Sequence, residues 1–223
     1  MIATIRLGAL SIASLAVLLA VSAHAADPAT VTFSLDFPNS DPDHYSIMVR
    51  ADGHAVYESS GKISSDSDDR QNYQTEFTIS DATRSLIFDL TARVNYFSGK
   101  VDSGDKKLAF TGAKKLVYSD GQKNSSASYN FSAQPVIQQL TALFQNISST
   151  MEFGRRLVYD HRYQKLALDE ELKHMEAQAK SSKISELQAV APVLQEIVED
   201  TSVLNGVRAR AKQLIEMGNN APR

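Results

Sequence analysis

The chain has 223 residues, with 23 Lys+Arg against 26 Asp+Glu, 43% apolar residues, no cysteine and no tryptophan. These figures fit one or two folded domains and exclude a disordered, collagen-like or disulfide-stapled chain. A formal charge of -3 spread along the chain gives nothing to grip a nucleic-acid backbone, and the missing cysteine removes thiol nucleophiles, Cys-ligated zinc and iron–sulfur clusters.

At the start, Arg6 precedes an uncharged apolar run from Leu7 to Val21, and Ala23-His24-Ala25 supplies the small-x-small pattern cut by a signal peptidase. A cleavable signal over 1–25 is expected, and with it export to the periplasm or the medium. The apolar run is shorter than the ~20 residues that span a bilayer. No later stretch is long and apolar enough to do so, so no transmembrane segment is expected after cleavage.

From Val31 to Phe131 apolar residues recur with a period of two, the spacing at which a strand puts alternate side chains on opposite faces. Candidate strands are Phe33-Leu35-Phe37, Tyr45-Ile47-Val49, Ala55-Tyr57, Phe77-Ile79, Leu108-Phe110, Leu116-Tyr118 and Tyr129-Phe131. The longest run is Leu86, Phe88, Leu90, Ala92, Val94 and Tyr96, and it predicts a strand with one buried face. Asp52-Gly53 and Asp120-Gly121 suit tight hairpins that need positive φ. Seven or eight strands over 26–133 predict an antiparallel β-sandwich of immunoglobulin-like architecture, held by apolar packing without the disulfide of antibody domains.

After Gln134 the period becomes helical. Pro135 suits a first helical turn, and Val136, Ile137, Leu140, Leu143, Phe144 and Ile147 make one stripe. Ser149 and Glu152 have capping-box spacing, which predicts a second helix from Thr150 to Ala179 with two apolar faces. A third carries Ile184, Leu187, Val190, Leu194, Ile197 and Val198, kinked or restarted at Pro192. A last stripe of Val203, Leu204, Val207, Ala211, Leu214 and Ile215 stops at Gly218, and 219–223 should fray. The reading is thus α+β: a sandwich over 26–133, then three or four helices over 134–218 docked on or beside it. Residues 191–215 resemble one HEAT-type helical hairpin. That resemblance implies helix pairing and brings no functional residue.

Few residues point to chemistry. Glu171 and His174 have the Glu-x-x-His spacing of carboxylate-bridged metal bundles, but there is no second such element, and a solvated helix face explains them more simply. His161 falls in the stripe of Leu157, Leu168 and Met175, where it is either a hydrogen-bonded core histidine or the base of a site assembled by the fold. Asp66, Asp68 and Asp69 could offer oxygen ligands to calcium, although the loop lacks the glycine and distal glutamate of an EF-hand. Lys106, Lys107, Lys114 and Lys115 form a basic cluster, suited either to an acidic glycan or other anion or to guarding a strand edge. No cofactor is implied. The composite expectation is a non-catalytic interaction or structural module of the cell envelope, with a protein partner or a second copy meeting the helical segment. A hydrolase built around His161 and an anion-binding protein using the lysines are the alternatives.

Overall fold

The structure, a computed structural model, describes residues 28–62 and 68–220, so the expected signal segment and Asp66 lie outside it. Six strands alternate inward apolar and outward polar side chains: β1 (Thr30–Asp36), β2 (His44–Arg50), β3 (His54–Lys62), β4 (Arg70–Thr78), β5 (Ala113–Ser119) and β6 (Asn124–Tyr129). They form one antiparallel sheet in the order β4-β3-β2-β1-β5-β6. Phe33 of β1 stands opposite Ile47 of β2 and Leu116 of β5, which fixes the register of the centre. The two Asp-Gly pairs close hairpins as expected, with Gly53 at φ 93° and Gly121 at φ 81°.

One sheet stands where a sandwich was expected. The described strands number six and lie in a single sheet, and helices cover the face where a second sheet was expected. The strongest strand candidate, Leu86 to Tyr96, is instead helix α1 (Asp81–Arg93) followed by a short 3-10 turn, Asn95–Phe97. Ser80 caps α1, its side chain accepting from the Thr83 N–H, and Asp81 favours the positive helix start. The buried residues Ile87, Leu90 and Thr91 have helical spacing. Apolar side chains therefore satisfied both periods in this stretch, and the capped serine marked which one the chain adopts. Leu108 to Phe110, expected as a strand, lies in the loop between that turn and β5.

Helix α2 (Pro135–Tyr163) runs unbroken for 29 residues, about 44 Å at ~1.5 Å per residue. The expected break at Ser149 fails because the two capping-box side chains point elsewhere. Ser149 Oγ donates back to the Gln145 carbonyl at 3.0 Å, and Glu152 turns into the protein. Thr150, expected to begin a helix, is fully buried and donates to the Ser185 carbonyl at 2.5 Å. A break does occur at Gln164–Ala167, before α3 (Leu168–Lys180). Residues 187–190 form a 3-10 turn, and α4 (Ala191–Glu199) starts with Pro192 in its first turn. α5 (Asn205–Asn219) includes Gly218 and ends one residue after it; Gly218 lies close against Leu187, where a Cβ would come to 3.0 Å.

Two cores result, and α2 belongs to both. Ile137, Leu140, Phe144, Ile147 and Met151 join the sheet side chains and α1, with the Phe144 ring stacked on Phe33 at 5.2 Å. Phe153 and Leu157, further along the same helix, join α3, α4 and α5 around Leu168, Leu172, Met175, Leu194 and Leu214. Between them Gly154 lets α2 pass the 187–190 turn, since a Cβ there would sit 2.5 Å from Val190 Cγ1. Among the described residues no helix is long and apolar enough to cross a membrane.

Candidate functional site

The side chains of Ser148, Glu152 and Arg155 follow one another at helical spacing on the side of α2 that meets β3, and they bury a charged pair. Glu152 Oε1 accepts from Tyr57 Oη at 2.8 Å and from Ser59 Oγ at 2.7 Å. Its other oxygen accepts from Arg155 Nε at 3.0 Å and stands 2.7 Å from Nη2. The two charged side chains are only 5% and 8% exposed. Gly61 of β3 makes room for the guanidinium, because a Cβ at that position would lie 2.7 Å from Arg155 Nη2. Burial pushes the Tyr57 hydroxyl well above its ordinary range, and the Glu152 charge adds to the effect. Tyr57 is therefore a fixed donor and not a proton carrier.

A cleft of about 460 Å³ opens above this cluster, between the β1–β2 loop and α2 and α3. Its wall carries Phe153, on which the Arg156 guanidinium lies at 4.9 Å and the His174 ring stands edge-on at 5.3 Å. Arg156 Nε donates to Glu171 at 2.6 Å, and His174 Nε2 is 3.2 Å from the Gln178 amide. Glu171 and His174 are thus held by different partners.

The His161 side chain, 19% exposed, meets two acidic residues. Its Nε2 is 3.0 Å from Asp200 Oδ2, while Nδ1 is 4.0 Å from Glu196. Asp200, in the α4–α5 turn, also accepts from Lys165 Nζ at 2.6 Å and from the Ser202 hydroxyl at 2.6 Å. The fold has therefore gathered a histidine, a carboxylate, a lysine and a serine. Their order decides what they do: the carboxylate, not the histidine, touches the serine, and Lys165 Nζ also donates to Ser202 Oγ at 2.6 Å. Ser202 gives its proton to Asp200 and lacks a histidine base, in contrast to the serine–histidine–carboxylate order of hydrolytic triads. The arrangement clips the α2–α3 turn to the α4–α5 turn. Bonds from Lys165 first, and then from Ser202 and His161, hold the Asp200 carboxyl far below the usual carboxylate range. That stabilisation is present above about pH 4 and is lost as the pH falls from there through the folded-state value. Asp200→Asn should therefore be less stable than wild type near neutrality, and acid titrations of the two proteins followed by circular dichroism should converge at low pH.

The four expected lysines separate. Lys106 and Lys107 are exposed on the loop before β5, and Lys115 is exposed on the open face of β5. Lys114 is 6% exposed and points into the protein, where Nζ donates to the carbonyls of Thr111 (3.0 Å), Gly112 (3.2 Å) and Asn130 (2.9 Å) and to Thr111 Oγ1 (3.0 Å). Burial lowers its pKa. Of the acidic loop, Asp68 is bound by Lys62 Nζ at 2.7 Å. Asp69 begins no strand, and Asp66 is outside the described residues. Among the described residues no group of three His, Asp or Glu side chains is placed to hold a metal ion.

Sequence reasoning missed Glu186. Its backbone is left-handed at φ 61°, and its carboxylate caps α1 across 106 residues by accepting from the Ser80 N–H (2.7 Å) and the Ser80 hydroxyl (2.8 Å). Thr83 Oγ1 donates to it as well, at 2.5 Å. Beside it lies a cleft of about 720 Å³ lined by Ile79, Leu86, Ile184, Leu187 and Met217, where the sheet layer meets the helical core. Glu152 entered the sequence reading only as half of a capping box, although the spacing 144, 148, 152, 155 continues the buried side of α2 with polar residues. Nothing in the sequence could mark Glu186 or Asp200. Compared with protein-family models and with curated proteins, the chain matches none.

Proposed function

We propose that the chain is exported to the cell envelope, in the periplasm or outside, and acts there without catalysis as an interaction module. The observation that carries this reading is the use made of its inward-facing carboxylates. Glu152 joins α2 to β3, Glu186 joins the 187–190 turn to α1, and Asp200 joins two turns of the helical core. Each is occupied by donors from other elements, which is how a rigid scaffold treats polar groups. Surface contact is supported by the outer end of the helical core. There Val158, Tyr163, Leu166 and Leu204 are 53%, 62%, 89% and 67% exposed, and the Lys165–Ser202 contact ties the two turns that carry the leucines. A protein partner or a second copy would meet this end.

Light scattering and pull-down from an envelope fraction, with wild type beside Leu166→Asp/Leu204→Asp, test the reading. Self-association or a captured partner that is lost in the double variant is the expected outcome. A monomer that captures nothing in either form overturns it. The mature protein should begin at Ala26 by mass spectrometry. The second reading, a hydrolase, is favoured by the His161–Asp200–Ser202 contacts. Labelling of Ser202 by a fluorophosphonate, abolished in Ser202→Ala, would replace the first reading with this one.

A further inference from the structure

The opposite end of the molecule combines exposed apolar side chains with an island of positive charge. Residues 100–115 hold five of the eleven basic residues of 26–133 but only two of its fifteen acidic ones. Among the described residues, Lys100, Lys106, Lys107 and Lys115 form no ion pair, whereas Lys62, Lys165, Lys173 and Lys180 each do. The two acids in the segment accept from backbone N–H groups: Asp102 from Gly104 and Asn130, and Asp105 from Lys107. Leu108, Phe110 and Phe131 are 40%, 57% and 40% exposed here.

The loop is pinned and shaped. Asn130 holds the Thr111 N–H at 2.8 Å and the Ala109 carbonyl at 3.0 Å, the Ser103 N–H donates to the Phe131 carbonyl at 2.8 Å, and the Phe110 ring meets Phe37 edge-on at 5.9 Å. Lys114 closes the base of the loop through its bonds to Thr111, Gly112 and Asn130. The backbone segments carrying Leu108, Phe110 and Phe131 therefore lie side by side, and the apolar side chains are presented without a further ordering cost. A hydrated acidic polymer would use the lysines and leave these side chains in water. An anionic bilayer uses both, because headgroups attract lysine while leucine and phenylalanine enter the boundary with the acyl chains.

We propose that this end of the molecule, the 98–112 loop with Phe131, docks on the surface of an anionic lipid bilayer. Lys100, Lys106 and Lys107 meet the headgroups, while Leu108, Phe110 and Phe131 enter beneath them. The inference rests on the export reading only in that export places the chain beside a membrane, and it uses a surface distinct from the helical end.

The test is co-sedimentation with phosphatidylcholine vesicles with and without phosphatidylglycerol, beside retention on heparin. Every variant is compared with wild type carrying the same N-terminus as recovered from cells. Wild type should bind the mixed vesicles more tightly than the neutral ones. Lys106→Glu/Lys107→Glu should weaken that binding at least about 10-fold, because two attractive charges become repulsive at a negatively charged surface. Leu108→Ser/Phe110→Ser should weaken vesicle binding and leave heparin retention unchanged. Absence of vesicle binding overturns the proposal, and so does binding that is indifferent to Leu108 and Phe110. If heparin is retained through Lys106 and Lys107 with no binding to vesicles, the partner is an acidic polymer and the proposal also fails. Because the helical end is untouched, none of these failures bears on the partner pull-down.

Discussion

Glu152→Ala should destabilise the protein by about 3–5 kcal/mol, the cost of stranding one member of a buried ion pair. Among the described residues Arg155 pairs only with Glu152, and the guanidinium is 8% exposed, so water cannot replace the lost carboxylate without opening the sheet–α2 contact. Tyr57 and Ser59 lose an acceptor in the same step, although the Tyr57 hydroxyl keeps Ser148 Oγ at 3.1 Å. For a chain of this size the loss corresponds to a Tm lower by roughly 6–20 °C, read by thermal unfolding and checked by urea titration. The double variant Glu152→Met/Arg155→Met separates charge from packing. It removes both charges, keeps volume, and leaves Ser59 as the main orphan, so it should cost only about 1–3 kcal/mol. A double variant as unstable as Glu152→Ala would mean that packing, not the stranded guanidinium, sets the cost. A single variant costing under about 1 kcal/mol would mean that the pair is solvated.

That cluster also shows where sequence pattern stops informing. Alternation found β1, β2, β3 and β5, because each strand is buried on one face only, while Phe77-Ile79 and Tyr129-Phe131 touched only the ends of β4 and β6; the Asp-Gly hairpins followed from the positive φ they require. Pro135 marked a helix start, and at Pro192 the restart, one of the two readings open there, is the one the chain adopts; both occupy first-turn positions where a missing N–H costs nothing. The stretch from Leu86 to Tyr96 failed because Leu86, Phe88, Leu90 and Ala92 fit a strand while Ile87, Leu90 and Thr91 fit a helix. The Ser80 cap broke the tie, but only with support from Glu186, 106 residues away. Ser149 and Glu152 failed for a related reason. A capping box is stabilised by local bonds, and here a buried arginine and two hydroxyls outcompete them. His161 and Asp200 meet across 39 residues, so local spacing held no trace of the contact. The lysines were legible as charge but not as geometry, because adjacent strand residues face opposite ways and Lys114 therefore turns inward while Lys115 does not.

Phe144→Ala should cost about 3–5 kcal/mol, the range for deleting a fully buried phenylalanine ring. The ring lies parallel to Phe33 within 4° at a centroid distance of 5.2 Å, and both side chains are wholly excluded from solvent. Phe33 is on the central strand, so the cavity would open at the point where α2 crosses the middle of the sheet. It would weaken the contact on which the covered face depends. The variant therefore tests the architecture as well as the packing. In a sandwich a second sheet would cover Phe33, and the Phe144 ring would not stack on it. In the observed fold, hydrogen exchange in Phe144→Ala should quicken in β1 and in the first half of α2 before it quickens around Leu172 and Leu214, which belong to the other core. Leu166→Ala, at a position 89% exposed, should stay within about 0.5 kcal/mol of wild type in the same assay. If Phe144→Ala proved as mild as Leu166→Ala, α2 would not be the layer that covers the sheet. The single-sheet account of how this chain holds together without disulfides would then fail with it.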